Sequence, residues 1–352
     1  MRGKSGWGSG RLKASIKDIA ARAGTSVSTV SRALNKSGYV SPDVRARVEE
    51  AVRDLNYTPS KDARMLRGAP SRVVGLMLPA VDVPFFGILA QAIEQALFQK
   101  GYQTLICCTS ENLEHEARYV SMLLSQRVDG VIVASAFGDD AHFEAFVEAD
   151  VPLVAIDRDL GRFADHVVTA DHEAGGRLMV QHLTALGHRR IAAIGAPAHS
   201  QSIQVRLQSI RSELAKAGLE PSAVALGEEH TFSAAYDMAR AILEKDRAVT
   251  AIIGMTDVAA IAAIHAVHDC GLSTPGDVSV IGFDDLPEAA YVIPSLTTVS
   301  QPIREIGEHA ARTIEAAIGQ RRQPDGEKAE PVTRLPVRLV ERQSTGPVRR
   351  SV

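Results

Sequence analysis

The stretch Ser15-Ile16-Lys17-Asp18-Ile19-Ala20-Ala21-Arg22-Ala23-Gly24-Thr25-Ser26-Val27-Ser28-Thr29-Val30-Ser31-Arg32-Ala33-Leu34-Asn35 decides how this chain is organised. Ile16, Ile19, Ala20 and Ala23 recur at helical spacing on one face. Ser15 stands at an N-cap position, and Asp18, three residues on, makes a variant capping box. Gly24 can take the positive φ that ends a helix and turns the chain sharply. Ser26 then caps a second helix, whose inward stripe is Val30 with Ala33 or Leu34. Val27, Ser28, Thr29 and Arg32 are left facing out near its start. Short polar side chains and one arginine beside a tight turn suit a reader of the DNA major groove, where a guanidinium fork matches guanine's two acceptors. Taken alone, the stretch also fits an ordinary helical hairpin with solvated polar residues.

Charge favours the first reading. Residues 1–70 carry 14 Lys or Arg against 6 Asp or Glu, a balance of +8; the whole chain is −3, so the remainder carries −11. A small basic module on an acidic body is the footprint of a phosphate-binding head. Residues 1–13, rich in Gly, Ser and basic side chains, read as a disordered tail. Pro42 is placed for the first turn of a third helix, Pro42 to Leu55. Its Val44, Val48, Ala51, Val52 and Leu55 form a stripe that can close a three-helix core, leaving Arg45, Arg47 and Arg53 for solvent or phosphate. Ser60 to Arg67, between Pro59 and Gly68, is a short helical candidate; such a helix is marginal in water by itself.

From Val73 the rhythm changes. Apolar runs alternate with helical segments: Val73–Leu78, a helix near Phe86–Lys100, Thr104–Cys107, helix Leu113–Gln126, Gly130–Val133, helix Ala141–Glu148, Leu153–Ile156. The alternation resumes with helix Glu173–Leu186, Ile191–Ile194, helices Ile203–Ala217 and Ser233–Leu243, Ala251–Ile253, helix Val258–Asp269 and Val278–Ile281. Pro302–Ile318 reads as a late helix and Pro336–Val340 as a late strand. Alternation of this kind means parallel α/β sheet. Two runs suggest two sheets with a cleft between them, although the pattern alone does not separate this from one larger doubly wound sheet. Gln320 to Pro331 reads as a loop, and Gln343 to Val352 as a frayed tail without leucine heptads.

Ligands of open parallel sheets bind beyond the carboxyl ends of the strands. The segments following the apolar runs carry Asp82 and Phe85-Phe86, then Asp157-Arg158-Asp159, then Thr256-Asp257, then Asp284-Asp285. The loop after Ile194 reaches Ser200, Ser202 and Arg206. Carboxylates, hydroxyls, one arginine and aromatics on one edge suit a polyhydroxylated ligand. Asp257 is expected to cap the Val258 helix, Asp285 to be a loop residue and Phe85 to be core; Phe86 is balanced between core and ligand platform.

Other classes leave no mark. Apolar content of 45% and charged content of 23% are ordinary for a globular protein, and no apolar run reaches the length of a membrane span. The N-terminus has no apolar signal core, and Cys107, Cys108 and Cys270 form no paired framework, so the expected compartment is the cytoplasm. Neither glycine-rich phosphate loop follows a strand, and neither GxSxG nor HExxH occurs. The eleven histidines make no ligand-spaced cluster. The expectation is no enzyme, no cofactor and no metal.

Ile16-Lys17-Asp18-Ile19-Ala20, Ala23-Gly24-Thr25-Ser26-Val27-Ser28-Thr29-Val30-Ser31-Arg32-Ala33-Leu34-Asn35, Tyr39-Val40-Ser41-Pro42, Leu55-Asn56-Tyr57-Thr58-Pro59 and Ala63-Arg64-Met65-Leu66 resemble the DNA-binding head of LacI/GalR-type bacterial transcription regulators. The resemblance continues to about Arg342. It implies an all-α helix-turn-helix head over 14–58 and a hinge helix over 59–70. A two-lobed effector-binding and dimerisation body of the periplasmic-binding-protein-like type I fold follows over 71–343, then a tail over 344–352. The implied partners are a near-palindromic double-stranded operator, a second copy of the chain and a small effector, first a sugar and behind it a nucleobase or other metabolite.

The DNA-facing set is then Ser15, Val27, Ser28, Thr29, Arg32, Asn35, Tyr57, Lys61, Ala63, Arg64 and Leu66. Leu66 is the minor-groove wedge and Ala63 the close-contact position. The ligand-facing set is Phe86, Asp157, Ser202, Arg206, Phe232, Thr256 and Asp284. His188 is a helix-end element in this family. Departures from the family pattern are Thr256 where Asn is usual, Gln204 for a common Arg, Ser209-Ile210 for a Gly-aromatic pair, and Val83 for Asn.

Overall fold

The computed structural model describes residues 14–35, 37–57, 70–134, 140–322 and 332–348. Contacts divide the chain into two compact units, Met1–Ser71 and Arg72–Val352. Lys61, Ala63, Arg64 and Leu66, with the expected hinge helix, lie outside the described residues.

In the first unit, α1 spans Ile16–Ala23, α2 Val27–Asn35 and α3 Pro42–Asp54. The capping box at Ser15 is formed: the hydroxyl accepts from Asp18 N at 3.3 Å, and the Asp18 carboxylate accepts from Ser15 N at 2.7 Å. Gly24 ends α1 in the left-handed region at φ 63. Ser26 Oγ accepts from Thr29 N at 3.2 Å and so caps α2. Ile19, Ala20, Ala23, Val30, Ala33, Val40, Val48 and Ala51 form a closed core, against which Val44, Val52, Leu55 and Tyr57 pack. Arg22 of α1 pairs with Asp54 at the end of α3 at 2.6 Å.

Among its described residues, the second unit holds two six-stranded sheets. Its elements are β1 (Val73–Leu78), α4 (Pro84–Gln99), β2 (Gln103–Cys108), α5 (Leu113–Ser125), β3 (Gly130–Val133), α6 (Glu144–Glu148), β4 (Leu153–Ile156) and β5 (His166–Ala170). They continue as α7 (His172–Ala185), β6 (Ile191–Gly195), α8 (Gln201–Lys216), β7 (Ala223–Leu226), α9 (Phe232–Lys245), β8 (Ala251–Gly254), α10 (Asp257–Asp269) and β9 (Ser279–Asp284). The last are β10 (Thr297–Ser300), α11 (Ile303–Arg322), β11 (Val332–Leu335) and β12 (Arg338–Val340).

The first sheet has the order β11-β5-β4-β3-β1-β2 and every pairing in it is parallel. The second has the order β12-β10-β9-β8-β6-β7, with β12 alone antiparallel. Central strands such as β3, β4 and β8 are buried throughout, because helices cover both faces. The chain crosses between the lobes three times: from β5 into α7, from β10 into α11, which packs on α4 and the first sheet, and from β11 into β12.

Four strands were not legible as apolar runs: β5, β7, β10 and β11. Three of them read His-Val-Val-Thr-Ala, Thr-Thr-Val-Ser and Val-Thr-Arg-Leu, and β7 is a half-buried edge strand of Ala-Val-Ala-Leu. Short strands with threonine or alanine form by pairing with a neighbour rather than by their own hydrophobicity. The frayed tail expected from Gln343 is also corrected. Ser344 is fully buried; its hydroxyl donates to Val280 O at 2.6 Å and accepts from Thr297 N at 2.8 Å. Gly346 O accepts from His188 Nε2 at 3.0 Å, and Val348 N donates to Leu186 O at 3.1 Å. The segment fills backbone sites between strands, a gain that hydropathy does not register.

Candidate functional site

Nine of the described strands deliver residues of one cleft, all at their carboxyl ends. Phe85 and Phe86 follow β1, Glu111 follows β2, Ala134 follows β3, and Asp157 and Arg158 follow β4. From the other lobe come Ala196 and Pro197 after β6, His230 after β7, Thr256 after β8, Asp284 at the end of β9 and Gln301 after β10. Ser200, Gln201, Ser202, Ile203 and Arg206 complete the wall from α8 and its lead-in loop. About 650 Å³ of empty space, open solvent included, lies between them.

Arg206 is the centre of this cleft. It is 3% exposed, and its guanidinium carbon lies 3.7 Å from the centre of the Phe283 ring. Its Nη1 donates to Met255 O at 2.5 Å and its Nε to His172 Nδ1 at 3.2 Å. This placement depends on two glycines in α7. A Cβ on Gly175 would stand 2.3 Å from Phe283 Cε2, and one on Gly176 would stand 2.9 Å from Arg206 O. The Gly175-Gly176 pair therefore admits the aromatic platform and lets α7 and α8 meet closely.

Two carboxylates flank the guanidinium. Asp157 Oδ1 accepts from Thr169 Oγ1 at 2.8 Å, Ala170 N at 3.2 Å and His172 Nε2 at 2.9 Å. Burial alone would raise its pKa; His172, Thr169 and Arg206 outweigh burial and hold it below the ordinary carboxylate range. Asp284 is 3% exposed and accepts from Gln301 Nε2 at 2.6 Å. Burial, reinforced by the neighbouring Asp257 and opposed by Arg206, pushes it up to about 8. Asp157 has φ 55 and Asp284 φ 129, conformations that non-glycine residues adopt at a cost of about 1–3 kcal/mol and that concentrate at functional sites.

Two polar atoms on the wall, His230 Nε2 and Gln301 Oε1, are buried without a hydrogen-bond partner among the described residues. Burial, with Arg206 second, lowers the His230 pKa to about 4, so the ring is neutral and offers one donor and one acceptor. Arg158 is 3% exposed, paired with Asp140 and 3.7 Å from Glu116, so its charge is answered outside the cleft.

Of the seven residues expected at the ligand site, Phe86, Asp157, Ser202, Arg206, Thr256 and Asp284 line the cleft. Phe232 does not: it opens α9 47% exposed and lines a neighbouring surface depression. His230, two residues earlier, stands at the cleft in its place, since β7 ends before it and α9 starts after it. Thr256 is the cap of α10, accepting from Ala259 N at 3.2 Å. Asp257, expected to be that cap, is instead fully buried, taking Leu286 N at 2.7 Å and Thr298 Oγ1 at 2.5 Å. Phe85 is in the core as expected, with its edge on the cleft; Asp285 pairs with Arg342 at 2.6 Å. Glu111, His230 and Gln301 were missed. The strand-tip rule points to His230 and Gln301 once β7 and β10 are known, and those strands carried no apolar signal.

In the head, Val27, Ser28, Arg32 and Asn35 are exposed on α2, while Thr29 is half-buried. Ser28 and Thr29 hydroxyls lie 2.8 and 2.9 Å from Ser26 Oγ, and Asn35 Nδ2 donates to Ser31 Oγ at 3.2 Å. Ser15 is exposed, its hydroxyl engaged by Asp18, and Tyr57 is half-buried against the head's core.

A three-helix head with a turn between α1 and α2, followed by two parallel-sheet lobes that enclose a polar cleft, defines a two-lobed small-molecule-binding protein with a helix-turn-helix module. Residues 15–60 match "Bacterial regulatory proteins, lacI family", and residues 180–345 match "Periplasmic binding protein-like domain". A ribose operon repressor of Halalkalibacterium halodurans is 33% identical over 330 residues, covering 94% of this chain and 96% of that protein. The HTH-type transcriptional repressor PurR of Proteus mirabilis is 34% identical over 338 residues, 94% and 96% of the two chains. A crystal structure of the Lac repressor dimer bound to operator and the anti-inducer ONPF superposes with a TM-score of 0.84 at 29% identity, over 95% of this chain and all of that one. The chain belongs to the lacI family of bacterial regulatory proteins. Among the described residues, no helix is long and apolar enough to cross a membrane.

Proposed function

We propose that this chain is a cytoplasmic transcriptional repressor, without enzymatic activity, whose grip on operator DNA is set by a sugar bound between the lobes. Two copies place their heads, residues 14–58, on the half-sites of a near-palindromic operator. Val27, Ser28, Thr29, Arg32 and Asn35 of α2 face the major groove, with Ser15 and Tyr57 beside them. Residues 59–70, including Lys61, Ala63, Arg64 and Leu66, form the hinge between head and body, with Leu66 as the minor-groove wedge.

The observation that carries the effector reading is the buried Arg206 between Asp157 and Asp284, with the unpartnered Gln301 Oε1 and His230 Nε2 on the same wall. The Asp157 carboxylate, the carboxyl oxygens of Asp284 and an amide oxygen accept from vicinal hydroxyls, the guanidinium donates to a ring or hydroxyl oxygen, and Phe86 covers an apolar face. Gln301 offers an amide on the edge where Thr256 replaces the family's usual asparagine. The acceptor-rich wall favours a neutral polyol over a phosphorylated sugar, because three carboxyl groups line it and Arg158 is already paired. The two probes are D-ribose, the sugar in the name of the ribose operon repressor relative, and hypoxanthine as a representative nucleobase.

The full chain is first used to select duplexes from a random pool. Binding to the selected duplex is then titrated with and without each probe. A release of about 5–150-fold by D-ribose is the size of coupling expected for this kind of control, and it must be matched by an equal effect of DNA on D-ribose affinity. Identical operator affinity with and without saturating D-ribose rejects that sugar, and tighter operator binding with hypoxanthine alone moves the reading to a nucleobase-responsive repressor with corepressor logic. Selection of no duplex rejects the regulator reading.

A further inference from the structure

His172 is the first residue of α7, one residue after the chain has left β5 of the first sheet for the second lobe. It is 5% exposed. Arg206 Nε carries a hydrogen and cannot accept, so His172 Nδ1, 3.2 Å away, must be the acceptor. A neutral ring then carries its proton on Nε2, which faces Asp157 Oδ1 at 2.9 Å. The two contacts form a directed chain in which Arg206 donates to His172 and His172 donates to Asp157. Asp157 belongs to the first lobe and Arg206 to the second, and both line the cleft.

We propose that His172, as its neutral Nε2–H tautomer, is a positioning residue that locks the Asp157 carboxylate and the Arg206 guanidinium in register across the two lobes. The proposal rests on the reading of this cleft as the effector site. The ring does not line the cleft; it acts through two groups that do. Phe283 restrains the assembly from below, with its centre 3.7 Å from the guanidinium carbon and 5.8 Å from the imidazole centre.

Protonation reverses the geometry at one contact. A doubly protonated ring would present Nδ1–H to the Arg206 N–H, donor against donor and cation against cation. The groups facing the ring are Asp157 from the β4 tip, Arg206 from α8, and Asp171 on its own turn. Burial, the largest influence, and Arg206 favour the neutral ring; Asp157 and Asp171 favour the charged one; the balance lies below the ordinary histidine value. The part of effector affinity that depends on His172 should therefore be lost in acid, as Arg206 is released from its orientation.

The test uses the full chain. Imidazole 15N NMR, with His172 assigned by its loss in His172→Phe, should show Nε2 protonated and Nδ1 bare at neutral pH. An Nδ1–H tautomer, or a charged ring at neutral pH, overturns the proposal. His172→Gln retains an acceptor and a donor about one imidazole apart, whereas His172→Phe keeps volume and loses both. D-ribose affinity should drop about tenfold in His172→Phe, the scale of one lost hydrogen bond to a charged group, and recover most of that in His172→Gln. The Gln variant should also lose the acid limb of the pH profile. Unchanged affinity in His172→Phe, or equal loss in both variants, refutes positioning. If D-ribose fails to bind the natural chain, the fault lies with the effector reading. The relay is then judged by thermal stability of His172→Phe, Asp157→Asn and the double variant: non-additive losses support it, and additive losses overturn it.

Discussion

Replacing Gly175 by alanine sets two opposed effects against each other at one atom. Alanine is favoured over glycine inside a helix by about 1 kcal/mol. The new Cβ, however, would stand 2.3 Å from Phe283 Cε2 and 3.1 Å from Cζ. Carbon atoms settle at about 3.5–4.0 Å, so the ring or the helix must retreat by more than about 1 Å. Phe283 is fully buried, and its ring also carries the Arg206 guanidinium carbon 3.7 Å from its centre, so moving the ring disturbs that contact. Overpacking of this kind costs about 1–3 kcal/mol, and a rigid ring against a helix backbone belongs at the upper end. The net expectation is a loss of about 1–2 kcal/mol, or a melting temperature lower by roughly 2–8 °C for a domain of this size. Gly319 in α11 is the matched control, because an added Cβ there has nothing within 4 Å. Gly319→Ala should raise stability by about 0.5–1 kcal/mol. Differential scanning calorimetry of both variants compares them directly. If Gly175→Ala melts at or above the natural chain, the close approach of α7 to Phe283 is not a constraint and the account of how Arg206 is supported fails.

Three further outcomes follow from single contacts. Asp284 holds its proton to about pH 8 because it is buried, whereas the unfolded chain releases it near the ordinary carboxylate value. The folded state therefore binds more protons between those limits, and stability should decline as pH rises through them; Asp284→Asn should flatten that decline in melting temperatures taken from about pH 5 to pH 9. Ser344→Ala leaves Thr297 N without its acceptor and Val280 O without its donor, for a loss of about 1–3 kcal/mol in chemical denaturation; an unchanged midpoint would return the segment to the status of a loose tail. Ser15→Ala removes the hydroxyl half of the capping box on α1, worth about 1 kcal/mol, and amide exchange in α1 should quicken about fivefold while that of β8 stays constant.

Local chemistry determined the head and the rhythm of the body. Ser15, Asp18, Gly24 and Ser26 each act within four residues of their own position, so capping and turn rules locate α1 and α2 from sequence alone. Fully buried strands such as Leu153–Ile156 and Ala251–Gly254 announce themselves as apolar runs because both of their faces are covered. Asp157 and Asp284 were legible because each follows, or ends, such a run, and Arg206 because the loop after Ile194 leads into its helix and the family resemblance marks the position.

Only the tertiary structure decided the rest. The apolar pattern allowed one sheet or two; the pairing of β5 with β4 and of β10 with β9 separates them, and those strands form through partners distant in sequence. Asp257 was read as a cap from its neighbours, yet its carboxylate serves Leu286 and Thr298, residues brought to it by the sheet. His230 rather than Phe232 faces the cleft because the end of β7 and the start of α9 fix the phase of the chain between them. His172 gains its meaning only when Asp157 and Arg206 meet it from opposite lobes. Caps and periodicities are short-range and can be read along the chain, whereas a buried polar group is defined by the partners that folding delivers to it.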